Sequence, residues 1–194
     1  EVVLTKEAYG WDGTEQFVVP DGVYEHFATG MGNRVSAIAS EWHEELEAYA
    51  EAHPTELSQL SAIWNNELPA EWEDGIPEFE ADEKGLATRV SSGKVLNSVA
   101  QAFPWMIGGS ADLAPSTMTN LDFEDAGELS AATPGGRNIH FGVREHSMAA
   151  ICNGLSLSGL RSYCATFFVF TDYLRPSLRL SSIMHQPVIY VMTH

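Results

Sequence analysis

Between Asn138 and Gly154 the apolar pattern changes its period, and that change limits the folds open to the chain. Ile139 to Val143 is short and mostly apolar, with Gly142 inside it, and reads as a buried strand end or turn. From Ser147 onward Met148, Ile151 and Leu155 recur at spacings of three and four, the period of a helix. Arg144, Glu145 and His146 therefore stand where a strand hands over to a helix. The same alternation occurs elsewhere. A helix is predicted from about Val90 to Phe103, with Val95, Val99 and Ala102 inward. Trp105 to Gly109 follows as a short buried strand, and Ser110 to Ser116 leaves it as a loop. Tyr163 to Phe167 is a strand after a turn at Ser156 to Ser162. Leu174 to Met184 is helical, with Pro176 marking a break, and Pro187 to Met192 is a further buried strand. Strands alternating with helices predict an α/β fold, a doubly wound, mostly parallel sheet. Such sheets bind ligands outside the carboxyl ends of their strands.

The first part of the chain reads differently. Residues 1–84 hold 20 of the 27 acidic residues and 3 of the 10 basic ones, so the whole net charge of −17 falls there. An acidic face of this kind repels nucleic acid and anionic membranes, and neither is an expected partner. No run of about 18 apolar residues exists, so no membrane-spanning helix is expected. Residues 1–34, punctuated by Gly10, Gly13, Pro20, Gly22, Gly30 and Gly32, read as loosely structured. Residues 35–69 read as helical: Ile38, Trp42, Leu46, Tyr49 and His53 form one stripe. Pro54 ends that helix, and Thr55 is placed to cap the next. The Glu41–Glu51 carboxylates read as a solvated helix face, because their spacing does not converge them on a cation. Residues 70–84 form an acidic hinge, and the domain boundary is placed after it. The reading is thus an acidic, partly helical interdomain connector over 1–84 and an α/β domain over 85–194.

Taken alone, the candidate residues carry bland readings. Glu145 fits a surface carboxylate whose charge suits a helix N-terminus. Asp112 fits a loop cap, Arg89 a surface charge, and Phe167, Phe170 and Tyr173 a core stripe. Cys152 and Cys164 lie in apolar surroundings and read as buried thiols, which fits a reducing, cytoplasmic setting. The 117–137 loop is long enough to imply function or disorder.

Three words in order change the weighting: Gly108-Gly109-Ser110-Ala111-Asp112-Leu113-Ala114-Pro115-Ser116, Asn138 to Gly154, and Ala165-Thr166-Phe167-Phe168-Val169-Phe170-Thr171-Asp172-Tyr173. Together they resemble the pyrimidine-binding domain of transketolases, over residues 85–194. The likeness extends more weakly back to Tyr9-Gly10-Trp11, in a segment resembling the exit from the diphosphate-binding domain. It implies two-carbon ketol transfer from a ketose phosphate to an aldose phosphate, in the pentose phosphate pathway, with thiamine diphosphate and Mg²⁺ as cofactors. In that family a glutamate at the place of Glu145 hydrogen-bonds N1′ of the aminopyrimidine and shares a proton with it. The likeness places Asp112 and Leu113 beside the thiazolium ring, and Phe167, Phe170 and Tyr173 around the aminopyrimidine. It assigns Arg89, Ser116 and His194 to the sugar substrate.

No Gly-Asp-Gly motif with a trailing Asn occurs, so no metal ligand is expected within this chain. The Mg²⁺ and diphosphate ligands are expected in a separate domain. The likeness further implies a homodimer whose cofactor lies between subunits. Glu1 in place of a starting Met, and a sheet that reads as unfinished, point to a fragment or one chain of a split enzyme, inactive alone. The alternatives are a segment of a related synthase, such as a deoxyxylulose-phosphate synthase, and a non-catalytic dimerisation module.

Overall fold

The computed structural model describes residues 1–194, which divide into two compact units, Glu1–Pro54 and Thr55–His194. That division falls inside the segment read above as connector.

The first unit is helical. It contains α1 (Val2–Ala8), α2 (Val23–Phe27), a π-helical turn (Ala28–Gly32) and α3 (Asn33–Ala52). Residues 9–22 are irregular, as read from the sequence, but residues 2–8 and 23–34 are helical, which corrects the reading there. Glycine punctuation misled it: Gly30 and Gly32 sit inside the wider π turn, which carries α2 into α3 without a break. Gly22, at φ +84°, supplies the left-handed turn immediately before α2. No residue of this unit is buried, and Phe17 is 97% exposed.

α4 (Pro54–Asn65) starts at the last residue of the first unit, Pro54, and otherwise belongs to the second. Proline suits that position, since its missing N–H is one the helix could not use. Thr55 consequently lies inside the first turn and not at the cap. After an irregular stretch come α5 (Thr88–Ala102), β1 (Met106–Ser110), α6 (Ala114–Thr117) and β2 (Asn138–His140). α7 (Glu145–Leu157), β3 (Arg161–Phe167), a 3₁₀ turn (Phe168–Phe170), α8 (Thr171–Ile183) and β4 (Ile189–Thr193) complete the chain. α8 runs unbroken through Pro176, so no break occurs there.

The four strands form one parallel sheet in the order β2-β1-β3-β4. The chain steps outward from β1 to β2, then crosses back to the far side of β1 for β3. The point of reversal lies between β1 and β3, and it opens a crevice at their carboxyl ends. Both faces of the sheet are covered, and β3 shows how. Successive side chains of a strand point to opposite faces. Tyr163 joins a core of Leu96, Ala100, Phe103, Met106, Leu121 and Ala126. Its neighbour Cys164 joins the opposite core of Ala111, Phe141, Met148, Ala149, Cys152 and Leu174. On α5 the fully buried residues are Gly93, Leu96 and Ala100; Val99 and Ala102 pack half-buried against the same core, as expected, and Val95 does not join it.

The long segment between α6 and β2 is ordered cover for the first core. Leu121 and Ala126 are buried, and the Asn138 side chain holds the segment by accepting from Leu121 N–H at 2.9 Å and donating to Leu121 C=O at 2.8 Å. Tyr163 donates its hydroxyl to Thr119 C=O at 3.0 Å, and burial pushes that phenol above its usual range. Cys152 and Cys164 are free and buried. A hydrogen bond between them, with burial second, holds the Cys164 thiol far above its ordinary range, so it stays protonated and unreactive.

Gly108 and Gly109 let the central strand sit against its neighbours. A Cβ at Gly109 would stand 2.0 Å from Ile139 O, and one at Gly108 would stand 2.1 Å from Tyr163 O. Both obstacles are backbone and cannot swing away. Gly109→Ala is expected to destabilise the fold by about 1–3 kcal/mol or more, as overpacked cores do. A lowered denaturant midpoint against the parent would show it; an unchanged midpoint would mean that the strands can part.

Candidate functional site

Three strand ends converge at the crevice. After β1 the ladder continues one residue, with Ala111 N–H donating to Ala165 C=O at 3.0 Å. Asp112 then turns the chain at φ +61°, a left-handed conformation that Asp tolerates better than most residues. Ser110 Oγ accepts from Leu113 N–H at 3.1 Å and closes the turn. This points Asp112 and Leu113 into the crevice mouth.

After β2 the turn is tighter. Gly142 adopts φ +67°, and a Cβ there would lie 2.4 Å from Arg144 Nη1. Arg144 folds back to donate to Phe141 C=O at 3.0 Å. Only glycine allows both the left-handed turn and that close approach. The turn delivers Glu145 to the first residue of α7, where it is 7% exposed. The positive end of the helix dipole lies beside its carboxyl.

After β3 the aromatic residues form a row. The Phe167 and Phe170 rings stack at 6.1 Å and 12°, and the Phe170 and Tyr173 rings at 6.3 Å and 27°. Their spacing of three residues spans a strand end, a 3₁₀ turn and the start of α8, and still gives one common face.

Ala111, Asp112, Leu113, Val143, Glu145, Phe170 and Tyr173 line a cavity of about 620 Å³. Five of the residues named from sequence are thus brought together. Phe167 is not in its lining but continues the row of rings, and on its other side lies the His194 ring at 4.3 Å. Arg89, at the start of α5, donates Nη1–H to His194 Nε2. The two line a second cavity of about 620 Å³ with Thr88, Ser92 and β4. Ser116 lies exposed on α6 and lines neither cavity. The chain holds no cluster of three or more His, Cys, Asp or Glu side chains placed to ligate a metal.

Val143 is the lining residue that the sequence reading used only as a flank. Its signal was its place before the Arg-Glu-His triplet, but at 74% exposure it resembles any surface valine. Asn153, Ser177, Ser181 and Tyr190 form a further polar set behind the cavity, between α7, α8 and β4.

A parallel sheet with a buried carboxyl and stacked rings at its reversal point defines a doubly wound α/β domain with a ligand crevice. Residues 84–194 match the family model of the transketolase pyrimidine binding domain, and residues 1–69 match that of the transketolase thiamine diphosphate binding domain. The chain belongs to the transketolase family. It is 47% identical over 195 residues to a transketolase of Geobacillus stearothermophilus, covering all of this chain and 29% of that protein. It is 46% identical to chloroplastic transketolase-1 of Arabidopsis thaliana, covering all of this chain and 26% of that one. Among solved structures it superposes on transketolase from Leishmania mexicana with a TM-score of 0.81 at 36% identity, over 99% of this chain and 28% of the other. It also superposes on a Pichia stipitis transketolase complexed with sedoheptulose 7-phosphate, with a TM-score of 0.80 at 32% identity, over 100% and 29% of the two chains. The chain therefore spans under a third of the length of these relatives.

Proposed function

We propose that this chain is the part of a transketolase that holds the aminopyrimidine end of thiamine diphosphate, and that the whole enzyme transfers a two-carbon ketol unit from a ketose phosphate to an aldose phosphate. The observation that carries this reading is the meeting of Glu145 with Leu113, Phe170 and Tyr173 in one cavity at the reversal point of the sheet. That lining suits a flat, polar-edged heteroaromatic ring. Aromatic faces stack on such a ring, and a single carboxyl meets its basic nitrogen.

When bound, thiamine diphosphate supplies the electron sink needed to break and form a carbon–carbon bond. The chain's own residues do the rest. Glu145 holds a proton at N1′ and takes it back; an amide there would hydrogen-bond without moving it. Phe167, Phe170 and Tyr173 enclose the ring and exclude water. Leu113 would give the bound cofactor an apolar support, and Asp112 would set a negative charge near its cationic ring. Arg89 grips the sugar phosphate through its planar fork of donors, with His194 on the sugar itself; Ser116, outside the Arg89 cavity, is assigned to the same phosphate by the family likeness alone. The Mg²⁺ ligands belong to the diphosphate-binding domain. The complete enzyme works as a homodimer, in the pentose phosphate pathway. Two free buried thiols support a reducing compartment, which we take to be the cytoplasm.

The test uses the whole enzyme stripped of thiamine diphosphate and divalent metal by dialysis against a chelator. Ketol transfer should vanish and return when both are restored. Transfer that persists in stripped enzyme, or that never appears in loaded enzyme, would overturn the reading.

A further inference from the structure

Buried polar bonds, as well as apolar contact, join the two helices that carry the cavity lining. Asn153 on α7 is 5% exposed and donates Nδ2–H across the interface to Ser177 C=O on α8 at 2.9 Å. Its Oδ1 accepts from Ser181 Oγ at 2.5 Å and lies 3.3 Å from the Tyr190 hydroxyl on β4. Ser181 Oγ and the Tyr190 hydroxyl are 3.1 Å apart. Burial, opposed by the Ser181 hydrogen bond, pushes the Tyr190 phenol up to about 12, so it remains a donor at neutral pH. Nearer the crevice, Ser177 Oγ donates to His146 C=O at 3.3 Å, next to Glu145.

Apolar contact has no direction and lets two helices slide. Hydrogen bonds fix position within a few tenths of an ångström. A slip of one residue along a helix is about 1.5 Å, and a misplacement of about 1 Å costs on the order of 100-fold where reacting groups must be aligned. α7 begins with Glu145, and α8 follows Phe170 and contains Tyr173. We propose that Asn153 is a positioning residue that fixes the register of α7 against α8, and thereby sets the Glu145 carboxyl against the Phe170 and Tyr173 rings. The inference rests on the reading of this cavity as the aminopyrimidine pocket.

The experiment compares the whole enzyme with its Asn153→Leu variant, which keeps the branched outline of the side chain with bulkier methyl groups and removes each hydrogen bond that Asn153 itself makes. The readouts are a crystal structure of each and steady-state transfer. The expected result is a displaced Tyr173 ring relative to the Glu145 carboxyl, with kcat lowered about tenfold or more and KM for the ketose phosphate within about twofold. Rings that superpose on the parent overturn the inference whatever the melting temperature does. So does a displaced ring with unchanged kcat, if Glu145→Gln run alongside is inactive. A displaced ring with a fully active Glu145→Gln variant supports the positioning role and sinks the cofactor reading instead. Should Asn153→Leu not fold, Ser181→Ala removes one hydroxyl from the same network. It is expected to shift the ring in the same direction with a few-fold loss of kcat, and an unmoved ring again overturns the proposal.

Discussion

Glu145→Gln in the whole enzyme should lower kcat for ketol transfer by about 10²–10⁴-fold, the range that general acid–base groups contribute. The substitution is nearly isosteric. It keeps hydrogen-bonding capacity at the N-terminus of α7 and leaves the apolar neighbours in place, so the melting temperature and cofactor retention should stay close to the parent. What is lost is the exchangeable proton. In free-energy terms the effect is about 3–5 kcal/mol of barrier. Steady-state transfer measured at saturating thiamine diphosphate checks it. A loss smaller than about tenfold would mean that Glu145 only fills space, and the proposed chemistry would lose its proton carrier.

Arg89→Leu should act on binding and not on the chemical step. KM for a ketose phosphate is expected to rise about 10–100-fold, since hydrogen bonds to charged groups are worth about 1.5–3 kcal/mol. kcat at saturation should change little, the signature of an interaction made equally before and during reaction. Two comparisons sharpen the result. A phosphate-free ketose should be handled equally by parent and variant. Arg89→Lys should fall between them, because an ammonium keeps the charge but not the planar fork. The contact with His194 complicates only the sugar end. If the variant loses kcat with KM unchanged, Arg89 serves the arrangement of His194 and Phe167 and does not hold phosphate.

What could be read from the sequence follows a physical line. The strand-to-helix handover at Glu145 was legible because two periods meet there within ten residues, and Gly142 marks the turn. β1 was legible because its glycines end an apolar run. The aromatic row was visible as a spacing of three, although the structure builds it on three kinds of backbone and not on one helix. On α5 Val95 was misread because it is larger than Gly93 or Ala100. Size suggested burial, whereas the close approach of Met118 O, 2.5 Å from a Cβ added at Gly93, demands a glycine inward. α1 and α2 were missed because glycine and proline outweighed short apolar runs. The Asn153 network was illegible for a different reason. Asn and Ser on a helix read as solvent-facing, and only the fold shows that α8 lies over them.

The strand order of the sheet has a consequence in time. β1 is central, yet both of its partners lie downstream, and Met106 pairs with Arg161. At a synthesis rate of about 5–20 residues per second, β1 waits roughly 3–10 s after leaving the ribosome before β3 exists to pair with it. Until β2 emerges, about midway through that interval, a short apolar strand presents two open edges, and afterwards it presents one, the condition in which chains pair with strangers. Its length of five residues and its two glycines, poor partners for a foreign strand, limit the hazard. The pocket lining is complete only when Tyr173 has emerged, so a nascent chain halted just before it holds Asp112, Leu113, Glu145 and Phe170 but not the last ring of the row.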